Sequence, residues 1–410
     1  MELQPTTAAG QRFTALAAEH ADVFRARAAG HDGASTLPTE NYEEMKQSGF
    51  LAAFVPEELG GLGLESVHDW CAGLDRLGRG DPSTAIAVNM HFISVRNLAS
   101  GWRGARAAGN ASAEERTAAP LMAVGSGELL FCGTATEPGT DNLRPRTTAT
   151  RVDGGWSITG RKIFVTLSPI AGVCNMNVRI ADEAGDHIGF AQVPVNSPGF
   201  LPQDDWDALG MRASGSQSVV FDDCRVPEHA VTIASAWGRW SPALLLGRTV
   251  GNLTLVAVFL GIAERAREVA VTAARTEAKV KLGGALGLSP GVQHLLGEID
   301  IELAAARAVL AVTARELDAF LARPGAPAPT LAEGHALMRD YQCAKWTVNQ
   351  NAISIVSKAM DVAGGGAFMS RHELSRLYRD VRAGPFMQPF SPTELHTYVG
   401  QIAAGAPPEG

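Results

Sequence analysis

The spacing of hydrophobic positions changes twice along the chain. Over residues 11–125 it is helical, with Phe13, Leu16, Ala17 and Phe24 on one face. Pro38-Thr39 opens a short helix that ends at Gly49. Asp81-Pro82 pairs an N-cap with proline at the first helical position and starts an Ala, Ile, Val and Leu-rich helix to about Ser100. From Leu129 to about Val231 the period is two. TTATRV, WSITG, KIFVT, NMNVRI, HIGFAQVPV and SQSVVFDD read as strands between DGG, DEAGD and NSPG turns. Beyond Trp240 the helical period returns in three long segments, 242–275, 289–323 and 330–363. RPGAPAP at 323–329 is a stiff loop between two of them. This order predicts an α+β chain: an N-terminal α-helical domain (1–127), a middle β-barrel-like domain (128–234) and a C-terminal four-helix-bundle domain (235–410).

Composition narrows the class. With 410 residues, 46% of them hydrophobic, the chain can bury two or three cores. A net charge of −8 without a Lys/Arg run argues against nucleic acid or an acidic membrane surface as partner. No apolar run is read as approaching the ~18 residues of a membrane-spanning helix. The first thirty residues are mixed and amphipathic, without a signal-peptide stretch. Cysteines 71, 132, 174, 224 and 343 are widely spaced and read as buried small hydrophobes in a reducing compartment. The ten histidines contain no HxxxH pair, so no metal is expected. A soluble cytoplasmic protein is the expectation. Gly60-Gly61-Leu62-Gly63 and Gly364-Gly365-Gly366 fit neither a dinucleotide fingerprint nor a phosphate loop, so a Rossmann domain and tightly bound NAD(P) are not expected.

The richest chemistry lies between Phe131 and Thr166. Thr134 and Thr136 precede Glu137-Pro138-Gly139, where proline fixes φ and glycine permits φ > 0. Asp153-Gly154-Gly155 makes a hairpin turn into Trp156–Thr166. On these residues alone, an ordinary β-meander and a ligand-binding sheet edge are equally good readings.

TATEPG, the hairpin and GRKIFVT resemble the flavin-binding core of the acyl-CoA dehydrogenase superfamily. FVPEELGGLGL (54–64), WDALGMRASGSQSVVFDDCRVPEHAV (206–231), and AGGGAF with LYRDVRAG (363–384) resemble it in the same order. The resemblance implies that superfamily's fold, a homotetramer built as a dimer of dimers, and a bound flavin. It assigns Gly133, Ala135 and Thr136 to the flavin's pyrimidine edge, Thr166 to the vicinity of N5, and Phe164 to the side of the ring. Gly364 and Gly365 join the cofactor site through the AGGGAF motif. Lys279 and Leu282 stand where relatives that hold FAD commonly carry Arg and Phe, and Asp361 where they offer Gln. Lys lacks the bidentate fork, Leu cannot stack on adenine, and a carboxylate repels a pyrophosphate. FAD retention is therefore expected to be weak, compatible with FMN or with exchangeable reduced flavin.

Thioester oxidation needs a carboxylate base. The resemblance places Gln388 at the family's Glu position, and the alternative position falls near Gly251 with no acid within a turn. Glu394 reads as a first-turn helix residue behind Ser391-Pro392. TEPGTD is shorter than the family's thioester-seating loop, and Asn252 replaces an Arg of the CoA pocket. The expected chemistry is instead that of the two-component flavin monooxygenases, within which the amino-sugar nitrososynthases look nearest. These take reduced flavin from a separate reductase and use O2 as co-substrate. Leu167, Phe386, Met387 and Phe390 then line the pocket of a small-molecule substrate, with Ser168 and Gln388 as donors that position substrate or activated oxygen. The alternatives are an acyl-CoA or acyl-carrier-protein dehydrogenase with another base, and a non-catalytic scaffold.

Overall fold

A computed structural model describes residues 2–182, 185–279, 283–323 and 328–410. Leu282, part of the DEAGD turn and most of the RPGAPAP loop lie outside the described residues. The N-terminal part is helical: α1 (Ala8–Ala34), α2 (Thr39–Gln47), α3 (Val67–Gly80), α4 (Pro82–Ala107) and α5 (Ala111–Gly125). The Asp81 side chain caps α4 by accepting from Ser83 N, with Pro82 behind it. That helix runs past Ser100 to Ala107, because Gly101 and Gly104 weaken it less than the buried Trp102 holds it. Phe13 stacks on Phe50 at 4.7 Å between ring centres, and Phe92 meets both edge-on, closing the N-terminal core.

Eight strands follow: β1 (Phe131–Thr134), β2 (Thr148–Val152), β3 (Gly155–Val165), β4 (Val173–Asp182), β5 (Gly185–Pro194), β6 (Phe200–Pro202), β7 (Gln217–Pro227) and β8 (Val231–Ala236). Among the described residues they form one sheet in the order β6-β7-β3-β2-β4-β5-β8, with β1 parallel to β4. β2 also runs parallel to β4, and the other neighbours are antiparallel.

Three long helices complete the chain, α6 (Pro242–Thr276), α7 (Pro290–Leu321) and α8 (Leu331–Ala363), with a two-residue ribbon, β9 (Ala278–Lys279) and β10 (Gly284–Ala285), after the first of them. Short α9 (Glu373–Asp380) and α10 (Pro392–Ala403) pack on α8. Helix α6 corrects one expectation from sequence. It is long and apolar enough to cross a membrane, yet 78% of its most apolar stretch is buried within this chain's own fold. Helices α3, α4, α7 and α8 pack around it, so its apolar stretch is covered while its polar residues, Arg265, Arg267 and Glu268 among them, gather towards its C-terminal half. A Cβ on Gly261 would lie 2.4 Å from the Asp75 carbonyl, so glycine is what lets α6 and α3 approach this closely. Cys343 is the second correction: it sits on the exposed side of α8, while the other four cysteines are buried.

Candidate active site

Two chain segments meet at the open edge of β1 and β3. Gly133 bridges Thr166 just beyond the end of β3, Ile163 N donates to Thr136 O at 3.0 Å, and Thr134 Oγ1 donates to Ile163 O at 2.7 Å. The predicted flavin-edge residues Gly133, Ala135, Thr136 and Thr166 are thus brought together, all half-buried. Phe164 and Leu167 adopt left-handed φ values of 55° and 72°, which branch the chain sharply around Thr166. Phe164 turns its ring outward, 51% exposed, with Trp206 edge-on at 5.8 Å. Leu167 is fully buried in the core, and Ser168 is buried with no partner for its Oγ.

Hydroxyl geometry leaves protons free at this edge. Ser214 Oγ lies 2.7 Å from Ser216 Oγ, which lies 2.8 Å from Thr166 Oγ1. If each serine donates along this relay, the Thr166 proton is held only by a long 3.4 Å bond to the Phe164 carbonyl and can turn to a ligand. Thr136 Oγ1 accepts from Gln388 Nε2 at 2.8 Å, so its proton is likewise available. A half-open shelf with two donor hydroxyls, backbone from Gly133 to Thr136 and a flanking phenyl ring fits the edge of an isoalloxazine.

Gln388 is held at both polar atoms of its side chain and at its carbonyl. Its Oε1 accepts from Asn142 Nδ2, whose amide also reaches Pro389 O at 3.3 Å, and its carbonyl accepts from Tyr341 OH at 2.5 Å. Lys345, one turn along α8, donates to the carbonyls of Met387 and Phe390. Burial pulls its ammonium down to about 7, with Glu394 opposing. Gly384 lets this segment sit down on the bundle, since a Cβ there would lie 2.2 Å from Asn349 Oδ1. Glu394 closes a capping box on Ser391, the helix-start role read from sequence.

Behind Asn142 the network continues inward. Asn177 Nδ2 donates to Asn142 O at 3.1 Å, and Lys162 Nζ donates to Asn177 Oδ1 at 2.7 Å and to Glu137 Oε1. Glu137 also accepts from Arg146 N at 2.6 Å and Thr147 N at 3.1 Å. Burial pushes the Glu137 carboxyl up, but Lys162 and these amides outweigh it and hold it below the usual range. Burial lowers Lys162 to about 8 against the pull of Glu137, so the pair is ionic at neutral pH. Asn142, Tyr341, Lys345 and the Glu137–Lys162 pair escaped the sequence reading. Their signals were a buried Tyr and Lys one turn apart on an apolar helix, and an Asn directly after TEPGTD.

Of the remaining assigned residues, only Phe390 adjoins this cluster. Gly364 and Gly365 end α8 on the surface, and Lys279 is exposed on the β9–β10 ribbon with no ion-pair partner among the described residues. Phe386 is 61% exposed, whereas Phe390 stacks on Tyr398 at 4.5 Å beside Trp240. Phe390, Tyr398, Trp240 and Asn142 line an open cleft of ≈ 350 Å³ that begins at Pro389.

Residues 11–100, 131–224 and 248–388 match, in order, the N-terminal, middle and C-terminal domains of acyl-CoA dehydrogenase. The chain is 34% identical over 405 residues to the amino sugar nitrososynthase DnmZ of Streptomyces peucetius, covering 98% of this chain and 95% of DnmZ. It is 35% identical over 407 residues to the L-evernosamine nitrososynthase of a Micromonospora species, covering 98% and 92%. KijD3, solved with FMN and dTDP-3-amino-2,3,6-trideoxy-4-keto-3-methyl-D-glucose, superposes with a TM-score of 0.90 at 32% identity over 99% of this chain and 96% of KijD3, and has also been solved with dTDP. The chain belongs to the acyl-CoA dehydrogenase family, on the branch that holds the amino sugar nitrososynthases.

Proposed function

We propose that this protein is a flavin-dependent monooxygenase that oxygenates the amino nitrogen of a nucleotide-linked sugar. The observation that carries the reading is Gln388. An amide that cannot take up a proton near neutral pH is locked between Thr136 and Asn142, where thioester oxidation needs a carboxylate. The acids nearest to it in the network are committed elsewhere, Glu137 to Lys162 and Glu394 to its helix cap. Likeness to the nitrososynthases and to KijD3 supports the substrate class and a flavin of the FMN type.

When bound, reduced flavin supplies the electrons with which O2 yields one oxygen atom to the substrate and one to water. The chain's own part is orientation and exclusion. Thr136 and Thr166 present donor hydroxyls to the ring edge, Phe164 shields its side, and Gln388 fixes Thr136. The exposure of Lys279, a point charge without a bidentate fork, suits a flavin that exchanges with a separate reductase. A homotetramer is part of the same reading, supported by the family resemblance and by the exposed Ile301 (72%) and Phe368 (84%) on α7 and after α8, to be checked by light scattering.

The test supplies the protein with FMN, a reductase, NADH and a dTDP-linked amino sugar under labelled O2. The expected product carries labelled oxygen on nitrogen. Anaerobic bleaching of bound flavin by any acyl-CoA thioester would overturn the reading and mean that a base operates elsewhere.

A further inference from the structure

Arg248 lies near the start of α6, one turn before Asn252, whose Nδ2 donates to the Arg248 carbonyl at 2.7 Å. Its Nε and one Nη are closed off from solvent and have no hydrogen-bond partner. No carboxylate lies within ion-pair distance of it among the described residues. Other arginines of the same helix differ: Arg265 is paired with Glu373 and Arg267 with Asp300. Burial draws the Arg248 guanidinium down to about 10, with no opposing charge to offset it, and it remains a cation at neutral pH.

A desolvated, unpaired cation is costly, and packing does not require one at this position. Its surroundings point to what it is for. The guanidinium stands 5.9 Å from the ring centre of Phe190, a side chain 38% exposed, so the charge borders an opening rather than a sealed core. Phe190 is the cross-strand partner of Asn177, on the same face of the sheet. Asn177 in turn touches Asn142, the residue that grips Gln388. The Arg248 charge is also felt at Lys162. The unpaired cation therefore borders the active-site network, on the side facing α6 and β5.

We propose that Arg248 receives the diphosphate of the nucleotide-linked substrate, its planar fork meeting two phosphate oxygens while Phe190 forms the apolar shelf beside them. The assignment rests on the nucleotide-sugar reading above. It also offers a second explanation for the missing Arg at position 252: the anion-binding charge is present one turn earlier. A phosphate oxyanion at this place has two sources, the substrate's diphosphate and the phosphate of FMN, and the experiment separates them.

Arg248→Met keeps volume and removes charge. Calorimetric titration with dTDP and fluorescence titration with FMN are run on wild type, Arg248→Met and Arg248→Lys, together with thermal melts of the ligand-free proteins. The expected result for Arg248→Met is dTDP binding weaker by about 30-fold or more, because a desolvated charged contact is lost. FMN affinity is unchanged, and the ligand-free melting temperature is equal or higher, because an unpaired buried charge has gone. Arg248→Lys, with charge but no fork, binds dTDP at an intermediate level. Unchanged dTDP affinity in Arg248→Met overturns the assignment. Loss of FMN affinity with dTDP binding retained gives the arginine to the flavin and overturns it equally. A lower melting temperature together with lost dTDP binding marks a structural arginine and also overturns it. If wild type binds none of dTDP, UDP or ADP, the nucleotide-sugar reading itself falls, and the assignment with it.

Discussion

Replacing Gln388 with Glu changes one atom of the side chain and reverses one hydrogen bond. In the native arrangement Gln388 Nε2 donates to Thr136 Oγ1 at 2.8 Å, which leaves the threonine proton free for the flavin edge. A carboxylate has no donor. In Gln388→Glu the Thr136 hydroxyl rotates to donate to it, and Asn142 Nδ2 and Tyr341 OH keep their bonds to the same residue. The fold is therefore expected to survive, while the ring edge loses one donor. One net hydrogen bond is worth ~0.5–1.5 kcal/mol, which corresponds to FMN binding weaker by about 2- to 13-fold.

Fluorescence titration with FMN measures this directly, and a double-mutant cycle with Thr136→Val identifies the cause. Thr136→Val removes the same donor by another route, so the two losses overlap and the double variant is expected to bind scarcely worse than either single one. Two outcomes refute the reasoning. In one, Gln388→Glu binds FMN as tightly as wild type. In the other, the two single losses add in full, which would mean that Gln388 and Thr136 act on the flavin independently.

Two further expectations follow from neighbouring geometry. Thr166→Val removes the last hydroxyl of the Ser214–Ser216–Thr166 relay and is expected to weaken FMN binding or slow flavin reoxidation by ~0.5–1.5 kcal/mol, read by titration and stopped flow; parent-like behaviour makes Thr166 a plain strand residue. His91 ties α4 to β1 in its neutral form, with Nδ1 accepting from Phe131 N at 3.1 Å and Nε2 donating to Leu51 O at 3.0 Å. Burial lowers its pKa from 6.5 to about 4. The unfolded chain takes up the proton first, so the stabilisation is fully present above the unfolded value and is lost as pH falls from about 6.5 toward 4, amounting to ~2 kcal/mol by pH 5. Denaturant titrations at pH 7 and pH 5 on wild type and His91→Gln check this, and an equal pH dependence in both proteins refutes it.

Much of the scaffold was legible because periodicity reports which faces are buried. Residues 242–275 and 330–363 show helical spacing, and Asp81-Pro82 and Ser391-Pro392 mark helix starts by local chemistry. Motif order also placed Gly133, Thr136 and Thr166 at one edge, since β1 and the end of β3 are neighbours in space. The grip on Gln388 was not legible. Asn142 and Tyr341 reach it across sequence separations of 246 and 47 residues, and no periodicity encodes such contacts. Leu167 shows the opposite failure. It sits beside the motif, but its side chain is fully buried in the core behind a left-handed backbone position. Helix α6 escaped for a third reason: its apolar positions, interrupted by Gly, Asn and Thr, do not stand out as one membrane-length run, and composition does not show that the fold itself buries them.

The absence of a base at position 388 suits nitrogen as the reacting atom. Oxygen transfer to an amine requires its lone pair, which an ammonium lacks. A carboxylate against the substrate nitrogen favours the ammonium and raises its pKa, because an opposite charge within a few ångströms stabilises the charged form. An amide does so far less, and Gln388 is fixed in place by Asn142 and Tyr341, so it cannot swing away from the approaching amine. The ion pair of Glu137 with Lys162 keeps the other nearby carboxylate neutralised. On this argument the wild-type rate at saturating flavin and O2 rises with pH as the bound amine loses its proton, then levels off. In Gln388→Glu the same rise is expected at higher pH, by ~1 unit or more for an unscreened carboxylate contact. Initial rates of labelled-oxygen incorporation across the pH range give both curves. If the variant's curve overlays that of wild type, residue 388 does not face the reacting nitrogen, and its role is confined to holding Thr136.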